Sequence, residues 1–225
     1  ILDSITFMVN RNSEDYLQLK YALFASDDSI SINCCEANIS KDIYSNGNFE
    51  FSGSVLNAYD TVETTGDFAT YGWIMNIANK IANVKTKSLK DYSENILGDI
   101  KKSGRQCQSI SMCQDNIIDI PTLCKATAGV YCSKLKLEKS LVSEEDITLN
   151  CNEATLGSPT ERQVLCSLNG DITIQATKMD SYGLIYAPNG TVSINVCELN
   201  HVGSIIAKKI KLCGSYFNIN HKQGE

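Results

Sequence analysis

Apolar and polar residues alternate along most of this chain, and the alternation repeats. Residues 30–36 read I-S-I-N-C-C-E, residues 147–153 I-T-L-N-C-N-E and residues 192–198 V-S-I-N-V-C-E. The aligned positions are Ile30, Ile147 and Val192; Ile32, Leu149 and Ile194; Asn33, Asn150 and Asn195; and Glu36, Glu153 and Glu198. A second element recurs as I-Y-S-N-G-N-F at 43–49 and I-Y-A-P-N-G-T-V at 185–192. The steps are 19 residues from Ile30 to Phe49 and again to Phe68, 20 from Ile172 to Val192 and 18 from Val192 to Ile210. The step of 25 from Ile147 to Ile172 leaves room for an insertion around Ser158–Arg162. One such coil buries too few apolar side chains to offset the entropy of ordering it. Coils must therefore stack, about 4.8 Å apart, each supplying backbone partners to the next. The predicted fold class is mainly β: a single-stranded, right-handed β-solenoid with about 18–20 residues per coil, interrupted or capped by one or two α-helices. Asn33, Asn150 and Asn195 read equally well as an amide ladder and as ordinary corner residues.

The pattern divides the chain into an N-terminal strand and cap helix (1–26), a first block of coils (27–80), a helix with a Cys-rich insertion (81–137) and a second block (138–225), all in one continuous domain. Leu89, Tyr92, Ile96, Leu97 and Ile100 fall at helical spacing between Ser88, a fitting N-cap, and Gly104. Tyr16, Leu17, Leu19, Lys20, Tyr21 and Leu23 outline a looser helix over 13–25, placed to cover the open end of the first coil. Residues 103–137 carry four cysteines and little periodicity. Ile5, Phe7 and Val9 alternate and form a candidate polymerisation strand. Such a strand either completes the first coil of its own chain or adds to a neighbour and builds a filament.

Composition narrows the function. Of the 225 residues 43% are apolar and 20% charged, and the net charge of −6 argues against nucleic-acid and anionic-membrane partners. No apolar run is long enough to span a membrane. The chain opens at Ile1 without a signal peptide, which reads as a matured or trimmed product. Two histidines (His201, His221) and three arginines (Arg11, Arg105, Arg162) leave little material for a catalytic constellation. Arg162 with Glu161 and Glu153 is the faint exception, better read as a solvated loop. Asp27-Asp28 and Glu144-Glu145-Asp146 read as turn or edge residues, and His201 as structural. No catalytic residue, metal ligand or cofactor is assigned. The ten cysteines suit an oxidising compartment, but buried thiols compete with disulfides as a reading. The candidate bridging residues are Cys107, Cys113, Cys124 and Cys132, in the segment that gains most from cross-linking.

Residues 170–220 resemble repeats of secreted and cell-surface proteins of clostridia and related Gram-positive bacteria. The matching positions run through Gly170, Ile172, Ile174, Ala176 and the block Gly183–Gly190, then Val192, Ile194 and Asn195, and on to Gly203, Ile205, Ile206, Ala207 and Ile210. Ala22–Ser26 and Ser45–Phe49 look like the opening of the same family. The resemblance implies a β-solenoid and a secreted or cell-surface location; it carries no catalytic residue. The cysteine load departs from that pattern.

The expected function is a non-catalytic extracellular protein, adhesive or structural, with a homo-oligomer or filament neighbour, a cell-wall component, or a host glycan or protein as partner. The alternative is a carbohydrate-binding or polysaccharide-cleaving β-helix. For that reading Tyr44 and Tyr186, which share a repeat position, are the candidate ligand aromatics.

Overall fold

The computed structural model describes residues 20–89, 91–112 and 116–220. They are mainly β. The strands are β1 (Leu23–Ala25), β2 (Ile30–Ser40), β3 (Ile43–Ser45), β4 (Phe49–Thr64), β5 (Phe68–Tyr71), β6 (Ile74–Ala82), β7 (Arg105–Cys107), β8 (Ile110–Met112), β9 (Asn116–Ile118), β10 (Thr122–Cys124), β11 (Ala128–Leu137), β12 (Leu141–Ser143), β13 (Ile147–Leu156), β14 (Gln163–Ser167) and β15 (Ile172–Asn220). One helix, α1 (Ser93–Ser103), lies between β6 and β7. The strands form a single 15-stranded sheet in which the pairings between different strands are parallel.

The repeat spacing is the step from one strand to its neighbour. Ile30 registers with Phe49 and Phe49 with Phe68. Ile172 registers with Ile147, Ile147 with Ala128 and Ala128 with Ile110. Alternate residues point inward, so Ile30, Ile32, Ile147, Leu149, Val192 and Ile194 are all buried. The longer step before Ile172 is taken up by a turn, in which the Ser158 N–H donates to the Glu161 carbonyl at 2.8 Å. Parallel pairing sets the strands in successive levels, one strand spacing apart. Within β15 the levels approach closely at Gly183 and Gly203 (φ +135° and +150°), where a Cβ on Gly203 would lie 1.8 Å from the Gly183 carbonyl oxygen. Only glycine fits that approach and backbone.

The order of levels in space differs from their order in sequence. Ile205 of β15 registers with Leu23 of β1, and Ile210 with Ile30 of β2. The last described level is thus seated on the first described one. From β1, in the middle of the stack, the described chain climbs to a tip at β5–β6, crosses back along one flank as residues 83–89 and 91–104, and restarts at the opposite tip, β7–β9. Seating one open edge on another satisfies both rows of backbone groups and closes the apolar interior.

Three sequence expectations change. Residues 105–112 and 116–137 contain β7–β11, in register with β12 and β13, instead of an irregular insertion. Several inward positions hold Cys107, Thr122, Cys124 and Ala128, which interrupt the aliphatic run of Ile118, Val130, Leu135 and Leu137 and hide the period. The helix read over 13–25 does not extend through Leu23–Ala25, which is β1; residues 13–19 lie outside the described residues. β1 is buried on both faces, so its continuous apolar run imitates a helical stripe. The second helix exists but starts later: Tyr92, not Ser88, precedes it, and the Asp91 carboxylate accepts the Ser93 N–H at 2.8 Å. Gly104 ends it as expected, its N–H donating to the Ile100 carbonyl at 2.7 Å.

Candidate functional site

Tyr44 and Tyr186 are fully buried, so they present no face to a ligand. They belong to a lateral column of outward side chains from β1, β3, β10, β12, β14 and β15. Phe24, Tyr44, Leu123, Val142, Val164, Leu184 and Ile206 share it, and Tyr92, Ile96 and Ile100 of the crossing segment cover it. Polar tips fix that cover. The Tyr44 hydroxyl accepts the Lys87 N–H at 2.8 Å and donates to the Lys85 carbonyl at 3.1 Å. The Lys87 ammonium pairs with Glu63 and bonds Tyr21 Oη at 2.7 Å. Burial tends to lower the Lys87 pKa, but the Glu63 and Tyr21 bonds outweigh it and hold it above the ordinary lysine value. Lower down, the Tyr92 N–H donates to Tyr186 Oη at 3.0 Å, and that hydroxyl donates to Asp91 at 3.3 Å. Hydrogen bonds from Ser93, opposed by burial and helped by Tyr186, hold the Asp91 carboxyl below its usual range. These contacts fasten the crossing segment to the stack, and an open cleft lined by Ser26, Asp27, Asn46, Thr86, Lys87 and Ser88 lies beside them.

The remaining sequence candidates are dispersed. Glu153 pairs with Lys134 at 3.1 Å and Glu161 with Lys139 at 3.2 Å. His201 is buried, with Nδ1 2.6 Å from Ser181 Oγ, inside the stack and out of reach of a substrate. Among the described residues no cluster of three or more His, Cys, Asp or Glu could hold a metal ion, and no helix is long and apolar enough to cross a membrane. The nine described cysteines are free thiols; Cys113, like Ile5, Phe7 and Val9, lies outside the described residues. Cys107 and Cys124 sit side by side, their thiols hydrogen-bonded at 3.2 Å between Sγ atoms, without a disulfide. Cys132 registers with Cys151, a residue outside the candidate set, because register and not sequence proximity chooses neighbours. Burial pushes the thiols of Cys34 and Cys124 up to about 12 and that of Cys151 to about 11, so they stay protonated at neutral pH.

An amide ladder exists, but not at Asn33, Asn150 and Asn195. Asn33, Asn150 and Asn195 are exposed, and Asn33 registers with Ser52 and Cys213, not with other asparagines. Asn38, Asn57 and Asn76 form the ladder: Asn57 donates to Asn38 at 2.8 Å and Asn76 to Asn57 at 2.8 Å. Their 19-residue spacing equals the step from Ile30 to Phe49.

The two tips gather most of the exposed large apolar side chains. Trp73 is 92% exposed, Tyr71 64% and Ile74 50% at β5–β6, and Ile117 is 57% exposed at the other tip. One inward column runs the length of the stack. It passes Thr122, Leu141, Leu165 and Ile185, continues through Ile205, Leu23 and Ile43, and reaches Val62. The stacked Gly183 and Gly203 carry Ile185 to Ile205. Its interior is buried; its two ends are cations, Arg105 below Thr122 and Lys80 above Val62. The Lys80 ammonium lies 3.9 Å from the Phe68 ring centroid, and Phe68 stacks on Phe49 at 5.0 Å. Sequence reading missed both cations, although each occupies an apolar repeat position. Comparison with protein-family models, curated proteins and solved structures finds no match to this chain.

Proposed function

We propose that this chain is a single-stranded, right-handed β-solenoid that works as a non-catalytic scaffold, adhesive or structural, at the cell surface. The observation that carries the reading is the parallel ladder with register steps of 19 residues, Ile30 to Phe49 to Phe68, which is what a winding chain produces. The five-strand pairing circuit β1–β3–β4–β2–β15 fits it, since β4 and β15 each run through more than one level. Right-handedness follows the general rule for parallel crossovers. Long-face charges favour a structural role: Lys134 pairs with Glu153 and Lys178 with Glu198, each bond linking adjacent levels. The surface location rests on the repeat resemblance of residues 170–220.

Levels beginning at Arg105, Thr122, Leu141, Gln163, Gly183, Gly203, Leu23, Ile43 and Val62 give a rod of about 40–45 Å at about 4.8 Å per level. Small-angle scattering of the purified chain tests the shape, and a compact isometric particle would refute it. A polysaccharide panel with a reducing-sugar readout tests the absence of catalysis. One observation favours the second reading, carbohydrate binding: Tyr71 and Trp73 are exposed together on one tip. Loss of glycan-array signal in Trp73→Ala supports it; no signal from the unaltered chain dismisses it.

A further inference from the structure

We propose that the two tips are mating surfaces for a second copy of this chain, held apart by Lys80 and Arg105. The inference deepens the scaffold reading and rests on its stacked winding. The chain already contains one end-to-end seating, where β15 meets β1 and β2 across a gap of 180 residues between Ile30 and Ile210. There every inward column continues apolar on apolar: Ile205 under Leu23, Ile210 under Ile30, Phe217 under Ala37. The outer tips offer the same continuation. A copy translated along the stack keeps all strands parallel and carries Ile110 over Phe68 and Ile118 over Ile77, because each pair ends one column. Such a contact is head to tail and does not close, so it leads to open filaments.

One column fails to match. Where the inner seating has Leu23 on Ile205, the tips bring Lys80 against Arg105. An inward-pointing charge at an open edge discourages pairing, and two like charges facing each other discourage this pairing in particular. Among the described residues Glu63, one level in from Lys80, is committed to Lys87; Asp119 lines the same hollow as Arg105 but follows Ile118, whose column ends opposite at Ile77 beside the uncharged Ala78 and Asn79. Phe68 keeps the Lys80 ammonium on the tip surface.

Charge exchange in the full chain tests this. Lys80→Glu alone, or Arg105→Glu alone, sets opposite charges facing each other and is expected to raise head-to-tail association at least about tenfold by sedimentation velocity. The unaltered chain and the double variant Lys80→Glu/Arg105→Glu are expected to remain monomeric. Association of the single variants should weaken in about 1 M salt, whereas plain hydrophobic aggregation would not. Both residues are exposed, so unchanged far-UV circular dichroism is expected in all four proteins. Assembly of the unaltered chain, monomeric single variants, or a double variant that associates like the singles would each overturn the proposal. Tips covered by residues 1–19 would leave every variant monomeric, which also overturns it. A particle that is not a rod would instead refute the winding, and scattering reads that separately.

Discussion

The seam in the middle of the stack and its two outer tips are the same kind of surface with opposite outcomes. Both are open edges of parallel strands over an apolar interior. At the seam the columns match, and polar stitches finish the contact: Lys208 pairs with Asp27 at 3.1 Å, Lys209 with Asp28 at 2.7 Å, Ser40 bonds Asn220 at 3.0 Å, and Ser204 bonds the Tyr21 carbonyl at 2.8 Å. At the tips one column ends in a cation on each side. Edge geometry therefore makes stacking available, and a few side chains decide whether it happens.

The sharpest way to break this contrast is to hollow the seam. Ile30→Ala is expected to cost about 2–5 kcal/mol in urea unfolding, whereas Phe68→Ala, at a half-buried tip position, should cost about 1–2 kcal/mol. Equal losses would mean that seam and tip are packed alike. Next in size is Gly203→Ala, which forces a Cβ against the Gly183 carbonyl at a positive φ; a loss of about 2 kcal/mol or more is expected from the same measurement. The flank crossing joins the halves on either side of the seam, and Tyr186→Phe removes the hydroxyl that links Tyr92 to Asp91. Its expected cost is about 1–2 kcal/mol, with faster amide hydrogen exchange in α1 and little change at the Asn38–Asn57 ladder.

The smallest effect is on pH dependence. The Lys209 hydrogen bond lowers the Asp28 pKa below 3.8, and Ser93 does the same for Asp91. A carboxyl depressed in the folded state contributes stability above its ordinary pKa and loses it as pH falls through the folded value. Thermal midpoints should therefore decline below about pH 4, and less so in Asp28→Asn/Asp91→Asn. Lys87 behaves oppositely: its raised pKa keeps its contribution intact below 10.5 and surrenders it as pH climbs through the folded value. Glu63→Gln should flatten that alkaline limb.

Much of the interior was legible from one strand frame. Ile30, Ile147 and Val192 are buried as aligned, and the turn at Ser158–Glu161 falls where the longer step required it. Asp27 and Asp28 are edge residues as read, but their lysine partners lie about 180 positions away and no local rule points to them. Tyr44 and Tyr186 share a position as read, yet alternation assigns the outward face to solvent and cannot see the segment that covers it.

The amino-acid pattern on its own determined the strand period, the inward-facing residues and the presence of a helix between two repeating blocks. Those properties are local: side-chain direction alternates along any strand, and burial selects one parity. Tertiary structure alone decided which level lies on which, what covers the lateral tyrosines and where the stack ends. Every level offers nearly the same edge, so the choice among neighbours depends on which seating leaves the fewest open columns over the whole molecule.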